Sequence, residues 1–273
     1  MQLHSDPTFD RLLLRSLSVA ANGFADATTI AGAGARVAPG DVVSWERYWR
    51  RAGDRAIERA DQRLAVDDVA GARRTLLCAS WAYGQAAHFY RADPACETWR
   101  TNRASQICAF RAAMPLLPDE CEVLVVPGHT SPCDGYLFGR ADPGGTYVVI
   151  PVGAEESAED AYALFAPTAG VVGVRCLVID LSVDADTAMM EAALNWLTLR
   201  TSRVFVLGWS AMAPRAVAVV RHRQGLRGVL CCPDAADVVA VCALLPELRC
   251  PSMLLPPALS VLAGFSWMAS AVT

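Results

Sequence analysis

The chain has 273 residues, enough to bury a sizeable core in one large domain or two modest ones. With 53% hydrophobic residues and a formal net charge of -4, it reads neither as a disordered tail nor as a nucleic-acid binder. All 24 basic residues are Arg, which rules out Schiff-base chemistry on a lysine and fits a GC-rich genome such as an actinomycete's.

In chain order, the opening "MQLHSDPTFDRLLLRSL" lacks a cationic start followed by an apolar core, so no signal peptide is expected. Residues 1–118 read as an all-helical domain. "SWERYWRRAGDRAIERADQRLAVDD" repeats Trp45, Trp49, Ala56 and Ala60 at helical spacing, with charges on the other face and Ser44 as the expected N-cap. "VAGARRTLLCASWAYGQAAHFYRAD" predicts a second helix, stopped at Asp93-Pro94. "WRTNRASQICAFRAAMPLLP" predicts a third, before Pro118.

From residue 119 to 273 the texture changes to short apolar runs broken by turns. "EVLVVPG" and "DGYLFGR" predict a hairpin around "HTSPC", and "TYVVIPV" follows the turn "DPGG". Then helices alternate with the strands "VRCLVIDLS", "RVFVLGWS", "LRGVLCCPD" and "RCPSMLLPP". Near-continuous apolar strands between amphipathic helices predict a mostly parallel α/β sheet covered on both faces. The tail "PSMLLPPALSVLAGFSWMASAV" is broken by Pro and Ser, so no membrane anchor is expected. Were the chain a non-catalytic binding partner, an exposed Phe265 and Trp267 would make this tail an interface. The ten Cys show no CxxC or Cys/His spacing, and most sit in apolar segments (Cys108, Cys176, Cys231, Cys232, Cys242). They read as small buried hydrophobes in a reducing cytoplasm.

One stretch carries chemistry: "RVFVLGWSAMAPRA". A strand ending in Gly208-Trp209-Ser210 before a helix is how a nucleophile elbow begins, although the second glycine of G-x-S-x-G is here Met212. Together with "ASWAYGQAAHFYRADP", the segment from "VLVVPG" to "VGAEESAEDAY" and a strand ending in Asp180, this order resembles a known family. It is similar to the α/β-hydrolases with an N-terminal helical cap, related to fermentation-respiration switch proteins and 2,6-dihydropseudooxynicotine hydrolase. The resemblance spans roughly residues 40–255. It implies an α/β-hydrolase-like core, truncated and degenerate, under a helical cap. The elbow helix is short by about a turn, and the insertion after the sixth strand is short. The acid and histidine that should follow are missing, since no His lies beyond His222.

Ser210 is the first candidate residue, with capping of the next helix as its plain alternative. The loop at Gly153, Ala154 and Glu155 corresponds to the oxyanion-hole segment of the fold. There the Ala154 and Ala211 amides would hold a developing carbonyl anion, and Gly153 would admit close approach. Trp209 and Trp81 would line the substrate. Asp180 and Asp234, at strand tips, are either bases or helix caps. His88 shares a helical face with Trp81 and Gln85 and is a second candidate base. His129 sits in the hairpin loop, while His4 and His222 read as surface residues. No metal-ligand spacing occurs, and neither metal nor cofactor is expected.

Such equipment suits elimination more than two-step hydrolysis. Within this resemblance, the acetate-eliminating enzymes of spirotetronate polyketide pathways are the best specific match. The expected substrate is an acetoxymethyl tetronate, which loses acetate to form an exocyclic double bond. Two readings stand beside it: an ester or carbon–carbon hydrolase using Ser210 with an unconventional base, and a catalytically dead binding partner. The expected partners are a small acylated polyketide and, as an option, a second copy of the chain.

Overall fold

The computed structural model describes residues 2–126, 133–139, 145–153, 156–181, 187–233, 237–255 and 261–270. They fall into two compact units, Met1–Pro118 and Asp119–Thr273.

The first unit is helical: α1 (Pro7–Ala20), α2 (Ala27–Arg36), α3 (Val42–Leu64), α4 (Val69–Ala87) and α5 (Glu97–Ala113). The first four each start at an aspartate, Asp6, Asp26, Asp41 or Asp68, whose carboxylate accepts from otherwise unpaired first-turn N–H groups. Asp41 therefore displaces Ser44 as the cap of α3. Ser44 lies one turn in, and its hydroxyl instead donates to the Asp41 carbonyl at 2.9 Å. Trp45, Trp49, Ala56 and Ala60 form the buried face of α3, as their spacing predicts. Gly53 on that face leaves a notch for the Tyr83 ring of α4, whose hydroxyl donates to Asp54 at 2.8 Å.

His4, expected at the surface, is buried. Its Nδ1 accepts from the Asp6 N–H at 2.9 Å, which leaves Nε2 protonated to donate to the Val37 carbonyl at 3.0 Å. The ring ties the start of the chain to the end of α2, so its burial costs no unpaired polar group.

The second unit is one seven-stranded sheet, β1 (Cys121–Val126), β2 (Cys133–Phe138), β3 (Thr146–Val152), β4 (Val174–Asp180), β5 (Val204–Trp209), β6 (Gly228–Cys232) and β7 (Ser252–Leu254), in the order β1-β2-β4-β3-β5-β6-β7. The first two strands form the expected antiparallel hairpin, and β4, β3, β5, β6 and β7 run parallel. Side chains alternate across the pleat. Val149, Leu177, Ile179, Val206 and Val229 point to a core shared with α7 (Thr187–Thr198), α8 (Ala213–Val220) and α9 (Val238–Leu244). The other face meets α6 (Ala158–Val172) and α10 (Val261–Ser270).

That last helix corrects the expectation for the apolar tail. Phe265 is fully buried, stacked on Phe165 of α6, and Trp267 lies edge-on to Phe205 of β5. Gly264 brings α10 down onto Leu230 and Leu255. The tail thus closes the unit's own core. Burial of the cysteines also holds only in part. Cys176, Cys231 and Cys232 are buried in strands, but Cys108 and Cys242 are exposed on the outer faces of α5 and α9. Cys78, Cys96, Cys108, Cys121, Cys176, Cys231, Cys232, Cys242 and Cys250 are free thiols. No described helix is long and apolar enough to cross a membrane.

Candidate active site

The chain leaves β3 through α6 to reach β4 on one side, and then returns through α7 to place β5 on the other side of β3. The carboxyl ends of β3 and β5 therefore border a topological switch point, the place where open α/β sheets bind ligands. Gly153 leaves β3 there, and Ser210 leaves β5.

At Ser210 the backbone turns through φ +50°. A side chain in this left-handed region is held against steric cost, and such strain gathers where a turn must present one residue. A short 3-10 turn, Ser210–Met212, follows and passes into α8. Pro214 stands in its first turn, where no N–H is needed. The helix can start this close to the strand because residue 208 is glycine. A Cβ there would lie 2.9 Å from the Ala213 Cα and 3.1 Å from the Ala216 Cβ. Strand, strained serine and abrupt helix make the elbow read from the sequence. At eight residues α8 is also short.

The hydroxyl-bearing residue is 6% exposed, and Ala211 beside it is exposed. Trp209 is half-buried, with its ring edge-on to Phe165 at 5.1 Å. Across the switch point, Gly153 accepts a hydrogen bond from the Glu156 N–H at 3.2 Å. Ser157 then opens α6 with a reciprocal capping box. Its hydroxyl accepts from the Asp160 N–H at 3.1 Å, and Asp160 accepts from the Ser157 N–H at 3.2 Å. Glu159, one residue into this rigid turn, is buried and accepts from the Tyr136 hydroxyl of β2 at 2.7 Å.

Gly153 was expected to admit a ligand. The neighbour using its missing side chain is instead Met212, whose Cγ and Sδ lie 2.9 Å from where a Cβ would stand. Gly153 has no left-handed φ, so its glycine is required by space and not by conformation. Reading the sequence noted Met212 only as the absent second glycine. A large residue replacing a glycine signals a small residue opposite it, and that signal was available.

Asp180 ends β4 paired in register with Val152, and the next N–H, of Leu181, donates to the Val152 carbonyl at 2.9 Å. It thus stands at the same sheet edge, with its backbone two strands from the elbow, on the order of 10 Å. Ala154, Glu155, Asp234 and His129 lie outside the described residues. His222 is exposed beyond the far end of α8, about 12 Å along the helix from the elbow. His88 and Trp81 belong to the helical unit. His88 ends α4 edge-on to Phe89 at 5.0 Å. Trp81 is buried, and its indole donates to Ser16 of α1 at 3.0 Å, so it serves that unit's core. Among the described residues, no three His, Cys, Asp or Glu side chains gather as a metal site.

Solved structures share this arrangement. A structure described as 2,6-dihydroxy-pseudo-oxynicotine hydrolase superposes with a TM-score of 0.65 at 18% identity, over 88% of this chain and 80% of its own. Wild-type AbyA5 superposes with a TM-score of 0.54 at 18% identity, over 90% of this chain and 70% of its own. The chain has the α/β-hydrolase fold. No protein-family model and no curated protein matches its sequence. Ser210 follows β5, the strand placed beside β3 by the return through α7.

Proposed function

We propose that the chain is an acetate-eliminating lyase acting on an acetoxymethyl tetronate, with Ser210 as a hydrogen-bond donor to the departing acetate. The observation that carries this reading is the strained serine at the turn that leaves β5, bordering the switch point of the sheet. A serine hydroxyl presented at such a turn can donate to a departing oxygen without itself reacting. The sequence resemblance to acetate-eliminating enzymes supports the same reading, and the fold shared with AbyA5 accommodates it.

The tetronate ring acidifies the C–H beside the acetoxymethyl group. The proton passes to a carboxylate, its electron pair forms the exocyclic C=C bond, and the C–O bond breaks to release acetate. Asp180, in the same unit and at the same sheet edge, is assigned as the proton acceptor. Ser210 and the amides beside it receive the charge that develops on the acetate carbonyl. Water takes no part, so no relay is needed.

The test is to incubate the protein with an acetoxymethyl tetronate and follow the products by NMR. Acetate with equimolar exocyclic methylene supports elimination. Acetate with a hydroxymethyl tetronate establishes hydrolysis instead, which is the second reading and one that the fold itself accommodates.

A further inference from the structure

The pair Gly153 and Met212 has a consequence for whatever chemistry occurs at the elbow. Met212 is two residues from Ser210, in the same 3-10 turn, and is itself 5% exposed. Its thioether rests on the bare α-carbon of Gly153. Gly153 is anchored on both sides, through Val152 in the sheet ladder and through the Glu156 N–H bonded to its carbonyl. The α6 capping box fixes the segment further on. On the other side, Gly208 lets α8 press against β5 and sets the height of the turn. Met212 therefore joins the turn after β5 to the end of β3.

We propose that Met212 is a positioning residue: its thioether, seated on Gly153, sets the separation between Ser210 and the carboxyl end of β3. This rests on the reading of Ser210 as the chemical group of the site. A glycine at 212 would leave the two edges without a spacer, and a methyl at 153 would push the thioether out of its seat. The sizes are reciprocal, small at 153 and large at 212, so exchanging them restores the fit in part. Methionine suits the role because its unbranched chain fills an irregular gap without strain.

The experiment measures how fast a fluorophosphonate probe labels Ser210, read by intact-protein mass spectrometry. In labelling, the serine oxygen bonds to phosphorus while fluoride and the hydroxyl proton depart. The phosphoryl oxygen needs the same backbone donors as an acyl oxygen, whether or not the protein acts on a tetronate. Gly153→Ala and Met212→Ala each slow labelling by about 10–100-fold, the scale expected for a displacement near 1 Å. The double variant Gly153→Ala/Met212→Ala recovers part of that loss, and Met212→Leu, close in size, stays near the wild-type rate. Circular dichroism and thermal midpoints are recorded for each variant.

Variants that melt earlier yet label at the wild-type rate would show packing alone and overturn the inference. Additive losses with no recovery in the double variant, or a wild type that takes no label, also overturn it. If Met212→Ala does not fold, Gly153→Ala and Met212→Leu decide: slow labelling in the first only supports the proposal, and equal rates reject it. A protein that labels as expected but forms no alkene from the tetronate refutes the elimination reading and leaves this inference standing.

Discussion

Phe165 of α6 holds Trp209 edge-on, with ring centroids 5.1 Å apart, and stacks on the ring of Phe265 at 6.1 Å. A continuous aromatic contact thus runs from the C-terminal helix to the residue preceding Ser210. Phe165, Phe205 and Phe265 are all fully buried, so this packing belongs to the core of the second unit. Phe265→Ala should destabilise that unit by about 3–5 kcal/mol, the range for deleting a buried aromatic side chain. Urea denaturation followed by tryptophan fluorescence checks this. A loss within 0–1 kcal/mol would mean that α10 is dispensable.

The backbone at Ser210 allows a cleaner test, because it separates strain from chemistry. The left-handed conformation costs a non-glycine residue about 1–2 kcal/mol, whereas glycine adopts it freely. Glycine also gives the unfolded chain more freedom, worth about 0.4–1 kcal/mol in the opposite direction. Both Ser210→Ala and Ser210→Gly remove the hydroxyl. Ser210→Gly is therefore expected to be the more stable, by up to about 1.6 kcal/mol, measured by urea denaturation of the two variants side by side. A less stable glycine variant would contradict the strained turn.

How far could the sequence carry these conclusions? The helical face of α3 and the alternation of strands and helices were legible, because burial imposes the periods 3.6 and 2 directly on residue type. The elbow was legible because strand formers running into Gly208-Trp209-Ser210 are a local pattern. The place of the tail was not legible because its partners, Phe165 and Phe205, lie 100 and 62 residues away from Phe265 and Trp267 (265 − 165 and 267 − 205). Burial of Phe265 depends on contacts that no local window contains. His4 was misread for the same reason, its acceptor being Val37. The role of Gly153 was half legible: the need for space showed in the glycine, but the occupant, Met212, came only with the fold.

The buried thiols predict a pH dependence of stability. Burial pushes Cys231 and Cys232 up from an ordinary 9.0 to about 12. Cys121 is likewise pushed up to about 12, mainly by burial. In the unfolded chain these thiols ionise near their ordinary value, while the folded protein holds them neutral. Raising the pH above 9 therefore draws protons from the unfolded state first and favours unfolding. The contribution is complete below pH 9 and is lost as the pH rises toward 12. Under reducing conditions, urea midpoints should fall between pH 9 and 11, and Cys231→Ala should flatten that slope. Alkylation at pH 8 should reach the exposed Cys108 and Cys242 first, as peptide mass spectrometry would show.

Tyr136→Phe tests the buried contact beside the α6 cap. The hydroxyl donates to Glu159 at 2.7 Å, and both residues are buried. A hydrogen bond to a charged acceptor contributes about 1.5–3 kcal/mol, and removing the donor leaves that carboxylate oxygen less well satisfied. The variant should lose stability on that scale in chemical denaturation. A neutral result would mean that other donors already satisfy Glu159.

Elimination and hydrolysis assign Ser210 different jobs, and the difference is measurable. As one donor among several, its loss in Ser210→Ala should lower the elimination rate by about 10²–10³-fold and leave activity well above background, since the backbone amides remain. As a nucleophile, its loss would abolish an esterase completely, with no acyl-enzyme formed. Asp180→Asn, by contrast, removes the proton acceptor of the elimination reading and on that reading should cost about 10²–10⁴-fold in kcat with little change in KM, because the amide keeps the shape but not the basicity. Progress curves for alkene formation in the two variants, with acetate measured in parallel, separate the roles. If Ser210→Ala retains no activity while Asp180→Asn retains all of it, the serine is the reacting group and the carboxylate only ends a strand.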